Sequence, residues 1–254
     1  MTLLSDPQAI AAARSALLVD GMLRVGLNLS NILLVRQADR AGHAEGVAPA
    51  LAGRLASALG VRHEFVCYDT PGQVIADAAN GVWSIAFVAS DPLRAGDAVF
   101  SHPYAGIEAT YLVSAGSHFT HVAQVDTPGV RVALFKGSAY DLWLQQHLRH
   151  AQLVHSDTPE EAVERFRRDR LDALAGLRVQ LEPQTALEPR ERVLSGAFTT
   201  VHQAVALPKE RSAALPCVNA FLHGQKQSGA LAALIDRMAP PGLQILFETT
   251  ISRP

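Results

Sequence analysis

Short apolar runs of strand length alternate with helical segments along this chain, and the alternation occurs twice. The first series ends in the buried run Ile85–Ala89, and the second begins near residue 130. Such alternation favours an α/β fold with a mainly parallel sheet covered on both faces. We expect two α/β lobes joined by two crossing strands, with a ligand cleft between them. Lobe 1 is predicted to contain residues 1–114 and 201–254, and lobe 2 residues 115–200.

The individual elements follow from apolar spacing and from Gly, Pro and capping residues. The predicted strands are 22–29, 61–68, 85–89, 109–113, 130–135, 152–155, 171–174 and 198–207. The predicted helices are 47–59, 73–80, 140–150, 157–168, 210–224 (broken by Pro216) and 229–238, with a less regular stretch at 176–187.

Composition excludes several classes of function. Hydrophobic residues make up 48% of the chain and charged residues 18%, which is enough to build a core. The net charge of -2 gives no reason to expect nucleic acid or anionic lipid as a partner. No apolar run approaches the ~20 residues of a membrane span, so membrane insertion is not expected.

Metals and cofactors are not expected either. The His residues are scattered, and neither a CxxC nor an HExxH motif occurs. Cys67 and Cys217 both lie among apolar residues, and we expect two buried thiols.

The N-terminal segment predicts a helix rather than a signal peptide. Ser5 or Asp6 is the expected cap, Pro7 lies in the first turn, and the Ala-rich segment stops at Gly21. If Met1 is the natural start, this predicts a cytoplasmic protein. If a leader has been removed, a periplasmic location is the alternative.

Arg94 is the most informative candidate residue. It follows the apolar run Ile85–Ala89 and the breakers Asp91 and Pro92. A guanidinium in a loop beyond a buried strand can grip a small carboxylate with two parallel hydrogen bonds. The alternative is a surface ion pair with Asp91 or Asp97.

Two other predicted strand ends carry polar groups. Asn28 and Asn31 lie at the C-terminal edge of the first strand, where ligand contact and a turn role are equally good explanations. Gly137 and Ser138 form a tight turn that opens a helix, and a helix N-terminus attracts anions. The full phosphate-loop motif is absent, so nucleotide binding is not favoured.

These features lie in segments that resemble a known family. They include LRVGLN at 23–28, DPLR at 91–94, FSHPY at 100–104, VALFKGS at 132–138 and LDA at 171–173. In this order the chain resembles the type II periplasmic solute-binding proteins of amino-acid uptake systems, bacterial family 3. The resemblance implies the periplasmic-binding-protein-like II fold, an amino-acid-like ligand and an ABC permease as partner. It covers roughly residues 23–238.

The resemblance also implies roles for individual residues. Arg94 matches the carboxylate-binding Arg, and the second-lobe donors fall on Gly137, Ser138 and Ala139. Phe87 and Ala89 stand where the family usually carries small or hydroxyl residues.

The main departure from the family pattern falls on Leu177, where the family has the Asp that pairs with the ligand's α-ammonium. We therefore expect a small carboxylate that is not a standard α-amino acid. Glu108, if it points into the cleft, would replace the missing Asp. Phe87 and Tyr140 are candidates for the pocket wall or for plain core.

Two other functions remain open. A lyase similar to cyclohexadienyl dehydratase, with Glu108 as proton donor, uses the same scaffold. A cytoplasmic ligand sensor is the third hypothesis. We prefer binding over catalysis and expect a monomer or weak dimer.

Overall fold

A computed structural model of the protein describes residues 6–38, 43–94, 96, 98–239 and 241–247, without the side chains of Ala38 and Arg94. The helices are α1 (Pro7–Leu17), α2 (Val47–Leu59), α3 (Pro71–Ala76), α4 (Ala139–His147), α5 (Pro159–Arg168), α6 (Arg178–Leu187), α7 (Leu215–Gln227) and α8 (Ala230–Met238). The strands are β1 (Met22–Asn28), β2 (Gln37–Ala38), β3 (Ala44–Glu45), β4 (Arg62–Tyr68), β5 (Ile85–Ala89), β6 (Ala98–Phe100), β7 (Ala105–Ser114), β8 (Arg131–Phe135), β9 (Gln152–Ser156), β10 (Ala173–Leu177), β11 (Glu191–Val193), β12 (Thr199–Pro208) and β13 (Leu243–Ile245).

The chain divides into two compact units. Unit 1 contains Met1–Gly106 and His202–Pro254, and unit 2 contains Ile107–Val201. The chain therefore leaves unit 1 within β7 and returns within β12. The first passage falls earlier than the sequence-based boundary after residue 114.

Unit 1 contains a mixed sheet. β1 lies between β4 and β5 and is parallel to both, whereas β12 is antiparallel to β5 and to β6. All five residues of β5 are buried, as expected for a strand with both faces covered. Gly26 is required in β1 because a Cβ there would lie 2.9 Å from the Cβ of Ala86.

Unit 2 repeats the arrangement. β8 lies between β9 and β10 and is parallel to both, and β7 runs antiparallel to β10 and to β11. Leu112, Leu174 and Phe166 form part of a core cluster beneath α5 and α6. The carboxyl ends of β8 and β10 therefore lie at one edge of this sheet, and the amino end of β10 lies at the other.

Three sequence predictions need correction. The stretch 176–187, predicted to be less regular, contains the helix α6. Pro216 does not break a helix, because a 3₁₀ segment precedes it and Pro216 lies in the first turn of α7. Cys67 is exposed rather than buried, whereas Cys217 is buried, and burial raises the pKa of its thiol.

The N-terminal helix begins where it was predicted, but it ends at Leu17 rather than near Gly21. Asp6 is the cap, and its side chain accepts a hydrogen bond from the backbone N–H of Gln8. Ser5, the alternative cap, lies outside the described residues. Among the described helices, none has the length and apolar character needed to cross a membrane.

Candidate functional site

Asn28 is the last residue of β1 and is 8% exposed. Its Oδ1 accepts hydrogen bonds from the backbone N–H of Ser30 at 3.3 Å and from the Ser30 hydroxyl at 2.8 Å. This geometry is that of a side chain closing its own turn. The structure therefore supplies the turn role that the sequence left open for Asn28.

Asn31 has a different environment in the same loop of unit 1. Its Nδ2 donates to Oε1 of Gln203 at 3.2 Å, and its Oδ1 is buried with no hydrogen-bond partner among the described residues. Gln203 is 1% exposed and lies opposite Ala89 in the β5–β12 pairing. A buried acceptor without a partner is costly, so this atom is suited to a donor from outside the chain.

Gln203 was missed in the sequence analysis. The only signal was a polar residue within the otherwise strand-like run 198–207. The sequence of this run does not indicate on which face of the sheet the Gln203 side chain lies.

Phe87 is 2% exposed and packs edge to face against Tyr104, with ring centroids 6.1 Å apart. Ala89, at the end of the same strand, is 8% exposed. Burial raises the pKa of Tyr104 well above its ordinary value, so its phenol stays neutral. These contacts favour a core role for Phe87.

Arg94 follows β5 at the end of a 3₁₀ turn formed by Pro92–Arg94. Before it, the Asp91 side chain accepts a 2.8 Å hydrogen bond from the backbone N–H of Leu93, which fixes the turn. The Arg94 side chain lies outside the described part of the chain. Its role as a carboxylate clamp stays a prediction.

In unit 2, the turn after β8 opens α4. Gly137 has φ +73°, a conformation that favours glycine. Ser138 caps the helix, because its Oγ accepts from the N–H of Asp141 at 3.1 Å and donates to the Phe135 carbonyl at 2.9 Å. α4 then begins at Ala139.

Two of the predicted donors are engaged within this turn. The Gly137 N–H donates to Oδ2 of Asp141 at 2.7 Å, and the Ser138 N–H donates to the Phe135 carbonyl at 3.4 Å. The N–H groups of Ala139 and Tyr140 belong to the first turn, where a helix supplies no internal acceptor. Any anion at this helix start therefore has Ala139 and Tyr140 as its better-placed donors.

Asp141, which the sequence analysis did not single out, organises this turn. Its carboxylate is 0% exposed and accepts from Gly137, from Nε2 of Gln145 at 2.8 Å and from Nε2 of His155 at 2.9 Å. The available sequence signal was an acid three residues after a Ser cap. The contact with His155 joins two elements and has no local signal.

Tyr140 is 6% exposed, and burial raises the pKa of its phenol to about 12. It is therefore neutral near pH 7. This burial is consistent with packing at the start of α4.

The end of β10 carries the main departure from the family pattern. Leu177 is 7% exposed and pairs with Ala109 across the β7–β10 ladder. The next residue, Arg178, donates from Nε to Oε2 of Glu108 at 2.6 Å and from Nη2 to the Gly196 carbonyl at 2.6 Å. Glu108 is thus held in an ion pair within unit 2, and Arg178 is a site residue that sequence reasoning missed.

The two units define an α/β protein of the periplasmic-binding-protein-like II class, and comparison with known proteins narrows this class. The pattern of the bacterial extracellular solute-binding proteins, family 3, matches residues 23–240. The chain belongs to this family. No curated protein matches the sequence.

Solved structures share the fold at low sequence identity. The solute receptor for L-cysteine of Neisseria gonorrhoeae has a TM-score of 0.73 and 20% identity, covering 93% of this chain and 99% of its own. The L-arginine-bound amino-acid transporter substrate-binding protein of Streptococcus pneumoniae has a TM-score of 0.71 and 22% identity, covering 87% and 96%. An ancestral amino-acid-binding protein, a precursor of cyclohexadienyl dehydratase, has a TM-score of 0.71 and 23% identity, covering 94% and 100%.

Proposed function

We propose that this protein binds a small carboxylate that lacks an α-ammonium group. Arg94 supplies the guanidinium for the carboxylate, and the first turn of α4 supplies backbone donors in unit 2. The observation that carries the proposal is the buried, apolar Leu177 at the end of β10. The family resemblance assigns this position to the acid that meets the ligand's ammonium.

An α-ammonium group beside Leu177 would meet an apolar side chain. A hydrogen bond to a charged group contributes about 1.5–3 kcal/mol, and Leu177 offers none. Moving the ammonium out of water without a partner adds a further cost. An α-amino acid is thus disfavoured relative to the same molecule without its amine.

Using Glu108 in place of the missing acid would carry an energetic cost. Its Oε2 is bound to Arg178, so pairing with a ligand ammonium requires giving up or sharing that contact. Breaking an ion pair leaves the other charge without its partner. The pair supports a ligand that carries no α-ammonium group.

Matched ligand pairs test the proposal by calorimetric titration of the whole protein. L-Cysteine and L-arginine, which solved relatives are described as binding, are compared with 3-mercaptopropionate and 5-guanidinopentanoate. We expect the ligands without the amine to bind at least tenfold tighter, about 1.4 kcal/mol. Tighter binding of either α-amino acid contradicts the proposal.

Transport is the context proposed for this binding. Members of the family are typically periplasmic and work with ABC transporters. We extend both properties to this chain as part of the same proposal. Capture of a permease by the ligand-loaded protein, and not by the Arg94→Ala variant, is the expected result.

A lyase related to cyclohexadienyl dehydratase is the second candidate, favoured by the similarity to the ancestral precursor. Glu108 was the predicted proton donor. Its Oε2 already contacts Nε of Arg178 at 2.6 Å, which leaves Glu108 less available to a substrate. Turnover of prephenate that is lost in Glu108→Gln would favour the lyase over the binder.

A further inference from the structure

Unit 2 contains a cavity of about 620 Å³. Its lining includes Ser114, at the end of β7, and Leu171 and Asp172, just before β10. Because β7 and β10 are antiparallel, these residues lie at the edge of the sheet opposite to Leu177 and to the start of α4. The cavity is therefore separate from the candidate site described above.

The floor of the cavity is apolar. Phe119, Phe166 and Leu171 line it and are 3%, 4% and 7% exposed. The wall formed by residues 117–119 is fixed, because Nη2 of Arg192 donates to the carbonyls of Ser117 (2.9 Å) and Phe119. The cavity is thus ordered on this side, and its volume is sufficient for a small ring.

Most charges at the rim are neutralised in pairs. Arg167 binds Glu191 through two hydrogen bonds of 2.8 Å, and Nε of Arg190 binds Glu188 at 2.9 Å. The third acid, Asp172, forms an ion pair with Nε of Arg131 at 3.8 Å and accepts a 2.8 Å hydrogen bond from the backbone N–H of the same residue. These groups add little net charge.

Arg170 is the exception at this rim. Within the described ranges, its guanidinium has no hydrogen bond or ion pair. Its backbone N–H donates to the Arg167 carbonyl, and its own carbonyl accepts from Arg131. Among the described residues of the rim, Arg170 is therefore a cation without an ion-pair partner.

The backbone of Arg170 is also unusual. Its φ is +48°, and it closes α5 so that the N–H of Leu171 donates to the Phe166 carbonyl at 3.0 Å. Glycine adopts this helix-ending conformation without strain, whereas Arg does not. The backbone alone gives no reason for an Arg at this position.

We propose that this cavity is a second binding site, for a small aromatic carboxylate. The ring packs on Phe119, Phe166 and Leu171, and the carboxylate pairs with the Arg170 guanidinium at the rim. Because the neighbouring acids are already paired, the Arg170 guanidinium favours a negatively charged ligand.

Titration with phenylacetate, followed by NMR and calorimetry, tests this site in the whole protein carrying Arg94→Ala. That substitution removes the guanidinium of the first proposed site, so the two proposals are tested apart. We expect saturable binding at about 1 mM or tighter, with phenylacetamide at least tenfold weaker. Absence of saturable binding overturns the inference.

Arg170→Gly is the decisive variant, because glycine suits the left-handed backbone and folding is retained. It should weaken phenylacetate binding at least tenfold while leaving the melting temperature equal or higher. Arg168→Ala is the matched control, since Arg168 is the last residue of α5, two positions before Arg170, and pairs with Asp169 outside the cavity lining. Equal affinity in Arg170→Gly and in its parent contradicts the assignment.

Discussion

Nε of Arg178 lies 2.6 Å from Oε2 of Glu108, and Arg178 directly follows the buried Leu177. An apolar side chain and a neutralised acid thus stand together near the end of β10. The proposal that the ligand carries no α-ammonium depends on this arrangement. Substitutions at Arg178 and at Leu177 each alter this arrangement.

Removing the cation should release the acid. In Arg178→Ala, Glu108 loses its partner and becomes available to an ammonium group. The affinity for the α-amino acid, relative to that for its amine-free counterpart, should therefore increase about tenfold. Calorimetry with the matched ligand pairs measures this ratio. Arg190→Ala, at an exposed pair with Glu188, is the control and should leave the ratio unchanged. An unchanged ratio in Arg178→Ala would show that Glu108 does not face the ligand.

Restoring the family's acid should have the same direction of effect. Leu177→Asp places a carboxylate at the end of β10, and α-amino acids should gain at least tenfold in affinity. Leu177→Asn introduces a side chain with the shape of aspartate but without its charge, and its gain in affinity for α-amino acids should be smaller. Equal gains in both variants would argue that space, rather than charge, determines selectivity.

The start of α4 depends on its cap. Ser138→Ala removes the acceptor for the Asp141 N–H and should lower the free energy of unfolding by about 1 kcal/mol. Ser138→Thr keeps a hydroxyl and should retain most of the stability. Urea denaturation of the three proteins gives the comparison, and a Thr variant as unstable as the Ala variant would count against the cap.

Acid sensitivity is predicted at Asp126. Burial raises the pKa of its carboxyl, but the backbone N–H groups of Ala151, His150 and Arg149 outweigh this effect and hold the pKa below its ordinary value of 3.8. The resulting stabilisation is present above pH 3.8 and is lost as the pH falls through the folded-state pKa.

Asp126→Asn should therefore be about 1 kcal/mol less stable than the parent at pH 7. This difference in stability should narrow as the pH falls below 3.8. Asp157→Asn, at an exposed acid, is the control. Melting temperatures measured against pH give the comparison, and a difference between Asp126→Asn and the parent that stays constant into strong acid would contradict the prediction.

The sequence predicted elements well where local signals agree. The bounds of α2 were predicted correctly because apolar spacing, Gly60 and the preceding turn all indicate the same segment. α6 was missed because Gly176 and Pro183 are local breakers. The helix is stabilised by tertiary packing of Leu181, whose Cδ2 lies 3.0 Å from where a Cβ on Gly176 would be.

The site was predictable only in part for a similar physical reason. Gly137 and Ser138 form a turn from adjacent residues, and a single sequence shows that. Glu108 and Arg178 are 70 positions apart, and their pairing follows from the register of β7 and β10. The exposure of Cys67 likewise depends on which face of β4 is covered.

Calorimetric titration of the tightest amine-free carboxylate into the wild type, Arg94→Lys and Arg94→Ala tests the central claim most directly. Loss of a bidentate charged contact predicts an affinity about 10- to 100-fold lower in Arg94→Ala, with Arg94→Lys between the two. Full affinity in Arg94→Ala would contradict the account.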